Sequence, residues 1–348
     1  MSMRYRRVCI DSIGYELPPE VVTSAELEER LAPLYQALRI QPGQLEALTG
    51  IRERRYWRPG QTMAEGAIKA GRKALASSNI SAEDIGMLIY AGVCRDQLEP
   101  ATACAVANGL GIGGRAQILD ISNACLGAIN GILHVANAIE LGQIKAGLVV
   151  SCETARQIVD LTIERMLAER SMESFRLSLA TLTGGSGAIA IVVSDKTMSP
   201  NGHEVACGVL RSDTRFHELC RWGPDTGHPA TAPMKMVTDA AGVLEHGVEL
   251  GARTWQDFLE ESGWSVEQID RTICHQVGAP HRETVLRSMG IDPSRDFVTY
   301  EHLGNIGTVS LPITAAIAEE RGFLEKGNRV AFCGIGSGLN CLMLGVNW

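Results

Sequence analysis

Cys125, His275 and Asn305 are a thiol, an imidazole and a carboxamide drawn from distant parts of a 348-residue chain. Sets of this kind, assembled in space rather than in sequence, carry nucleophilic catalysis in acyl transfer. Cys125 stands in AQILDISNACLGAINGILHVANAI. The pattern predicts a buried strand ending near Ser122 and a Gly/Ala-rich, almost wholly apolar helix beginning near Cys125. The unpaired N–H groups and positive dipole end of a helix start lower a thiol pKa, so a thiolate nucleophile is expected there. A helix that is apolar all round belongs in the middle of a molecule. Taken alone, the segment also fits a buried thiol in a packed helix, and His275, in ICHQV, also fits a core histidine.

An internal duplication favours the chemical reading. Ser81-x-Glu83-x-Ile85-x-x-x-Ile89-x-x-x-Val93 recurs as Ser265-x-Glu267-x-Ile269-x-x-x-Ile273-x-x-x-Val277, 184 residues on. Glu140-x-Gly142-x-Ile144-x-x-Gly147 recurs as Glu320-x-Gly322-x-Leu324-x-x-Gly327, 180 residues on. Two matches in the same order, offset by about half the chain, imply one βα-rich unit used twice. Counting back 17 residues from Gly142 and from Gly322 reaches Cys125 and Asn305. The two residues therefore occupy equivalent helix starts, which a two-fold relation can bring face to face.

The positioning elements follow from hydrophobic runs. In the first unit MAEGAIKAGRKALASSNI, ATACAVANGLGI and CLGAINGILHVANAIELG read as helices. GMLIYAGV, AQILDIS, AGLVVSC and GAIAIVV read as strands. The second unit predicts helices near 235–262, 280–289 and 309–322, and strands near 270–277, 296–300, 329–334 and 339–346. Short Val/Ile/Leu runs without polar alternation imply strands covered on both faces. The fold class is therefore α/β, with two sheets and helices between and outside them. The halves are taken as 1–195, with Cys125, and 196–348, with His275 and Asn305. Residues 154–182 have no counterpart in the second half and read as a helical insertion covering the site. Its Met166, Leu167, Met172, Phe175, Leu177 and Leu179 are expected to give flexible apolar lining to a long tunnel at the site, with ordinary helix packing as the alternative. Residues 220–234 read as a long loop.

Composition narrows the function. Asp plus Glu number 40 against 32 Lys plus Arg, giving a formal charge of −8. An acidic surface of this kind argues against general nucleic-acid binding. No run approaches the ~18 apolar residues of a membrane span, so no integral membrane segment is expected. The opening MSMRYRRVCIDSIGYELP has no apolar core before a small-residue cleavage site. None of the ten Cys forms a CxxC pair, so no metal is expected, and most lie in apolar runs. They read as free thiols in a reducing cytoplasm.

SNACLGA, ICHQVGAPH, HLGNIGTVSLP, GIGSGLN and TGIRERR resemble, in order and spacing over essentially the whole chain, the active-site segments of β-ketoacyl-acyl carrier protein synthase III and its thiolase-superfamily relatives. VCRDQLEPATA, GNIGTVSLP and GIGSGLNC are most similar to the OleA-type subgroup, which condenses two long-chain acyl-CoAs. The resemblance implies a thiolase-like fold, with two duplicated βα units stacked as α-β-α-β-α. It implies an acyltransferase of lipid metabolism with Cys125 attacking an acyl thioester. His275 and Asn305 then hydrogen-bond the carbonyl that becomes an enolate. The backbone N–H groups of Cys125 and Ser337 form the oxyanion hole. Coenzyme A or acyl-carrier-protein thioesters are substrates rather than cofactors, and a homodimer is expected. Gln44 and Leu48 stand where the family commonly carries an adenine-packing Trp and Arg.

Glu99 discriminates between two chemistries. A malonyl donor generates its carbanion by losing CO₂, as in fatty-acid or polyketide synthesis. A plain acyl-CoA must lose an α-proton to a base, and a carboxylate serves. The resemblance implies that Glu99 reaches the site across the dimer interface. The alternative is an exposed loop carboxylate paired with Arg95. A third possibility, a silent acyl-binding homologue, conflicts with the intact Cys/His/Asn set.

Overall fold

The computed structural model describes residues 1–224 and 234–348. The first-half strands β2 (Val8–Glu16), β5 (Ile85–Ala91), β6 (Gln117–Ile121), β7 (Ala146–Glu153) and β8 (Gly187–Asp195) lie in the order β6-β5-β7-β8-β2. The second-half strands β9 (His203–Ser212), β12 (Arg271–Cys274), β13 (Arg329–Gly336) and β14 (Asn340–Asn347) lie in the order β12-β13-β14-β9, with β1 (Ser2–Arg4) beside β9. The plan repeats. Strand β5 runs parallel to β7 as β12 does to β13, and each pair is followed by two antiparallel steps. Strands β2 and β9 pair through Cys9–Glu204 and Ile10–His203, so the five-stranded sheets of the two halves are joined edge to edge, ten strands in all.

One expected strand is reduced. The region near 296–300 should mirror β6, but only an isolated bridge between Thr272 and Asp296 remains. Asp296 is buried and accepts from the Thr272 hydroxyl, the Cys274 N–H and the Arg282 guanidinium. A buried, paired carboxylate there takes the place of the apolar side chains of a strand.

Helices α6 (Gly127–Glu140) and α12 (Ser310–Glu320) fill the middle layer. Their apolar residues join those of both sheets in one core, including Leu126, Ile129, Ile132, Ile313, Val149, Ile189, Phe332 and Leu344. Gly131 makes this possible: a Cβ there would sit 2.6 Å from a Val149 methyl. Helices α4 (Met63–Ala76) and α5 (Thr102–Leu110) cover the outer face of the first sheet, and α9 (Ala240–Ser262) and α10 (Ala279–Met289) that of the second. Five layers result, α-β-α-β-α, as the duplicated pattern requires.

Above the middle layer sits a helical cap of α1 (Ser24–Arg30), α2 (Ala32–Leu38), α3 (Gln44–Thr49), α7 (Arg156–Glu169) and α8 (Met172–Leu182), with the hairpin β3 (Glu20–Thr23) and β4 (Glu53–Tyr56) and the short α11 (Tyr300–Leu303). The insertion is therefore α7 and α8. A second hairpin, β10 (Cys220–Pro224) and β11 (Met234–Thr238), occupies the ends of the segment read as a long loop and the start of the one read as helix. The intervening 225–233 lie outside the described residues. Among the described residues, no helix is long and apolar enough to cross a membrane.

Candidate active site

Cys125 leaves β6 on a tight turn. Ala124 before it has φ +45°, a left-handed conformation that costs a residue bearing a Cβ about 1–2 kcal/mol. Strain of this kind gathers at functional sites, and here it lifts Cys125 out of the line of β6. Helix α6 begins two residues later, at Gly127. Its Ala128 N–H donates to the Thr308 hydroxyl at 2.7 Å. Thr308 lies 180 residues from Ala128, so the second half caps the central helix of the first.

Asn305 sits at the matching place before α12. Its N–H donates to the Thr183 carbonyl at 2.9 Å, and its carbonyl accepts from Gly185 at 2.9 Å. Two glycines permit this backbone-to-backbone contact. A Cβ on Gly304 would lie 2.4 Å from the Thr183 oxygen, and one on Gly185 would lie 2.1 Å from the Leu303 oxygen. The Asn305 Oδ1 accepts from the Gly307 N–H at 3.1 Å, which leaves Nδ2 as a donor for a ligand.

A cavity of about 440 Å³ joins these parts. Cys125, Asn305 and Ser337 line it, with Glu153 at the end of β7 and Ala155, Ile158, Ala180 and Thr181 from the cap. A Cβ on Gly336 would come within 3.4 Å of the Cys125 nitrogen, so the Gly336–Ser337 turn approaches the Cys125 backbone closely. Among the described residues, neither the Cys125 nor the Ser337 N–H bonds a backbone carbonyl.

Two expectations change, and one alternative falls away. The thiol of Cys125 is not lowered. Burial pushes it up to about 12, with the neighbouring Cys220 and Glu153 adding to the rise and its own backbone N–H opposing it. The helix start lies beyond the sulfur, and one of its donors is already spent on Thr308. The six cap residues named for the tunnel do not line the cavity. Met166 and Phe175 are buried against Leu27, Leu31, Leu34 and Tyr35, with Leu167 and Leu179 packed beside them, and Met172 is exposed. An amphipathic helix needs such a stripe for packing; smaller neighbours, Ala155, Ile158, Ala180 and Thr181, face the cavity. Finally, Glu99 does not pair with Arg95. Arg95 faces Asp120 at 3.8 Å.

His275 follows β12, where Ile273 belongs to the central core and Cys274 to the outer one. Its ring is 6% exposed and lines a smaller cavity with Cys274, His281 and Cys333 rather than the one holding Cys125. Its Nδ1 has no hydrogen-bond partner among the described residues. Burial, with a smaller contribution from His281, pushes it down to about 3, so the imidazole is neutral. Glu99 lies outside the Cys125 cavity of its own chain, on an exposed segment where Leu98 is 92% exposed. Gln44 and Leu48 lie on α3, half-buried and exposed respectively.

Glu153 escaped sequence reasoning. The one signal was a carboxylate closing the apolar run AGLVVSCE. It is 5% exposed and accepts the N–H groups of Val93 at 2.8 Å and Cys94 at 3.1 Å. Burial raises it above the ordinary carboxylate range.

Known proteins place this arrangement. Residues 119–214 match the 3-oxoacyl-[acyl-carrier-protein (ACP)] synthase III family, and residues 259–348 match its C-terminal family. An acyl-CoA:acyl-CoA alkyltransferase of Shewanella oneidensis is 54% identical over 99% of this chain and 100% of its own. One from Xanthomonas campestris pv. campestris is 39% identical over 99% and 100%. The chain belongs to the acyl-CoA:acyl-CoA alkyltransferase family. The solved structure of a Cys-to-Ser variant of Xanthomonas campestris OleA, with lauric acid and lauroyl-CoA bound, superposes with a TM-score of 0.92 at 39% identity, covering 99% of this chain and 100% of that one. The alkyltransferase fold is thus the five-layered one seen here.

Proposed function

We propose that the protein joins two long-chain acyl-CoAs by a Claisen condensation that passes through an acyl group on Cys125. The observation that carries this reading is the shared cavity. It holds a thiol on a strained turn, two backbone N–H groups that bond no backbone carbonyl among the described residues, and the Asn305 amide, in an alkyltransferase chain.

The steps follow from the residues. The Cys125 sulfur attacks the thioester carbonyl, and the Cys125 and Ser337 N–H groups receive the developing oxyanion. CoA departs and the acyl group stays on sulfur. A second acyl-CoA then loses an α-proton to Glu99, and the uncommitted Asn305 Nδ2 donates to the enolate oxygen. The enolate carbon attacks the acyl carbonyl, and Cys125 is released with a β-ketoacyl-CoA. Because Glu99 lies outside its own cavity, a second copy of the chain supplies it, in a homodimer built about the exposed 95–100 segment.

Intact-protein mass spectrometry after incubation with acyl-CoAs of graded length tests the reading. One acyl adduct on Cys125, absent in Cys125→Ser, and a β-ketoacyl product formed without malonyl-CoA are expected. An adduct on another Cys, or product formed only with malonyl-CoA, contradicts it; the second result would identify a decarboxylative synthase III.

A further inference from the structure

Acylation sets a proton problem. Cys125 begins as a thiol held protonated by burial, and it must lose that proton to attack. The ring of His275 lines the neighbouring cavity. Among the described residues, one carboxylate lines the cavity of Cys125 itself, and it is Glu153. Two backbone donors, Val93 and Cys94, fix its orientation and leave further lone pairs on both oxygens. The indole of Trp57 holds the Glu153 carbonyl at 3.0 Å, so the residue is braced at backbone and side chain. Gly307, two residues after Asn305, lies against the carboxyl: a Cβ there would come within 3.7 Å of its carbon. The titratable groups around it are the thiols of Cys94, Cys125, Cys152 and Cys220, the Tyr90 phenol, and Arg221 on the cavity wall, which pairs with Glu218.

We propose that Glu153 is the base that takes the Cys125 proton when the acyl group is loaded and returns it to the departing CoA. The assignment rests on the acyl-Cys125 reading above. In the step the S–H bond breaks and a carboxyl O–H forms, directly or through one water. The thiolate bonds the acyl carbon, the carbon–sulfur bond to CoA breaks, and the CoA thiolate takes the proton from Glu153. Atoms and charge balance. The buried cavity holds one negative charge throughout, moved from carboxylate to sulfur, and never two, which two acids so close would resist. The same burial that keeps Cys125 protonated makes Glu153 a stronger acceptor than an exposed glutamate.

Single-turnover acylation by an acyl-CoA, and alkylation of Cys125 by iodoacetamide, are measured from pH 6 to 9.5 in the wild type, Glu153→Gln and Glu153→Asp. A lost general base costs about 10²–10⁴ in rate. Glu153→Gln should show that loss at pH 7, and the gap should close by up to tenfold per pH unit as solvent base ionises the thiol instead. Glu153→Asp, which keeps the charge, should fall between. A Gln variant with the wild-type profile overturns the proposal. So does a deficit that stays constant with pH, because a distorted Val93–Cys94 turn is not repaired by base. The alkylation arm uses no acyl-CoA. If the wild type is never acylated but the alkylation split appears, the function fails and the role of Glu153 as base to Cys125 stands.

Discussion

Gly304→Ala probes the junction that holds Asn305. Gly304 has φ +68° and ψ −162°, a region essentially confined to glycine, which costs about 1–3 kcal/mol for a residue with a Cβ. The new Cβ would also stand 2.4 Å from the Thr183 carbonyl oxygen and 3.3 Å from the Arg54 Cβ. Neither neighbour yields cheaply. The first is backbone, and the second belongs to a fully buried Arg54 bonded to Ser24 and Leu182. Overpacking of this kind adds about 1–3 kcal/mol. The sum is about 2–6 kcal/mol, or roughly 4–12 °C in Tm at about 2 °C per kcal/mol for a large chain. Gly263→Ala is the comparison: φ +69° and ψ 19° make it an ordinary left-handed residue in open space, so a milder strain acts without a clash. Calorimetry of both variants should show the larger loss at Gly304. Relief of the clash would push Asn305 out of line, so condensation should fall well below acylation in the same protein. A Gly304→Ala chain as stable as Gly263→Ala, or one condensing at the wild-type rate, would refute the claim that backbone packing at 183–185 and 303–305 positions the amide.

Other outcomes follow from the same geometry. Thr308→Val leaves the buried Ala128 N–H without its acceptor, at a cost of about 1–3 kcal/mol by thermal melting; it should also slow acylation at Cys125, by up to ~10² if the helix start shifts by about an ångström. Burial holds His275 at about 3 and His281 at about 4, below their ordinary 6.5. The unfolded chain therefore binds more protons below pH 6.5. The stability their neutral forms confer is whole above pH 6.5 and drains away as pH falls towards 4, by at most about 1.4 kcal/mol per pH unit for each ring. Melting curves of His281→Gln between pH 7 and 4.5 should show a shallower decline than the wild type; an equal decline would refute the assignment.

The layers were legible in the sequence because strands covered on both faces must be apolar runs. The equal offsets of Cys125 and Asn305 survived duplication because each marks the start of a central helix. What the sequence hid depends on contacts between distant segments. Strands β2 and β9 carry mixed polar and apolar residues, and their pairing with each other is what fuses the halves. The strand expected near 296–300 gives way because Asp296 finds three donors there. The thiol environment was misjudged because a helix-start rule takes the donors as free, whereas Thr308 from the other half already occupies one. Glu153 was invisible for a similar reason: its partners, Val93 and Cys94, lie some 60 residues away.

The central claim is that two plain acyl-CoAs condense with a carboxylate removing the α-proton. Separate single-turnover rates for acylation and condensation in Glu99→Ala test it most directly. Acylation of Cys125 should proceed at the wild-type rate, while condensation of a second acyl-CoA should fall by about 10²–10⁴. Undiminished condensation of two plain acyl-CoAs by Glu99→Ala would contradict the mechanism, and a loss shared equally by both steps would reduce Glu99 to a structural residue.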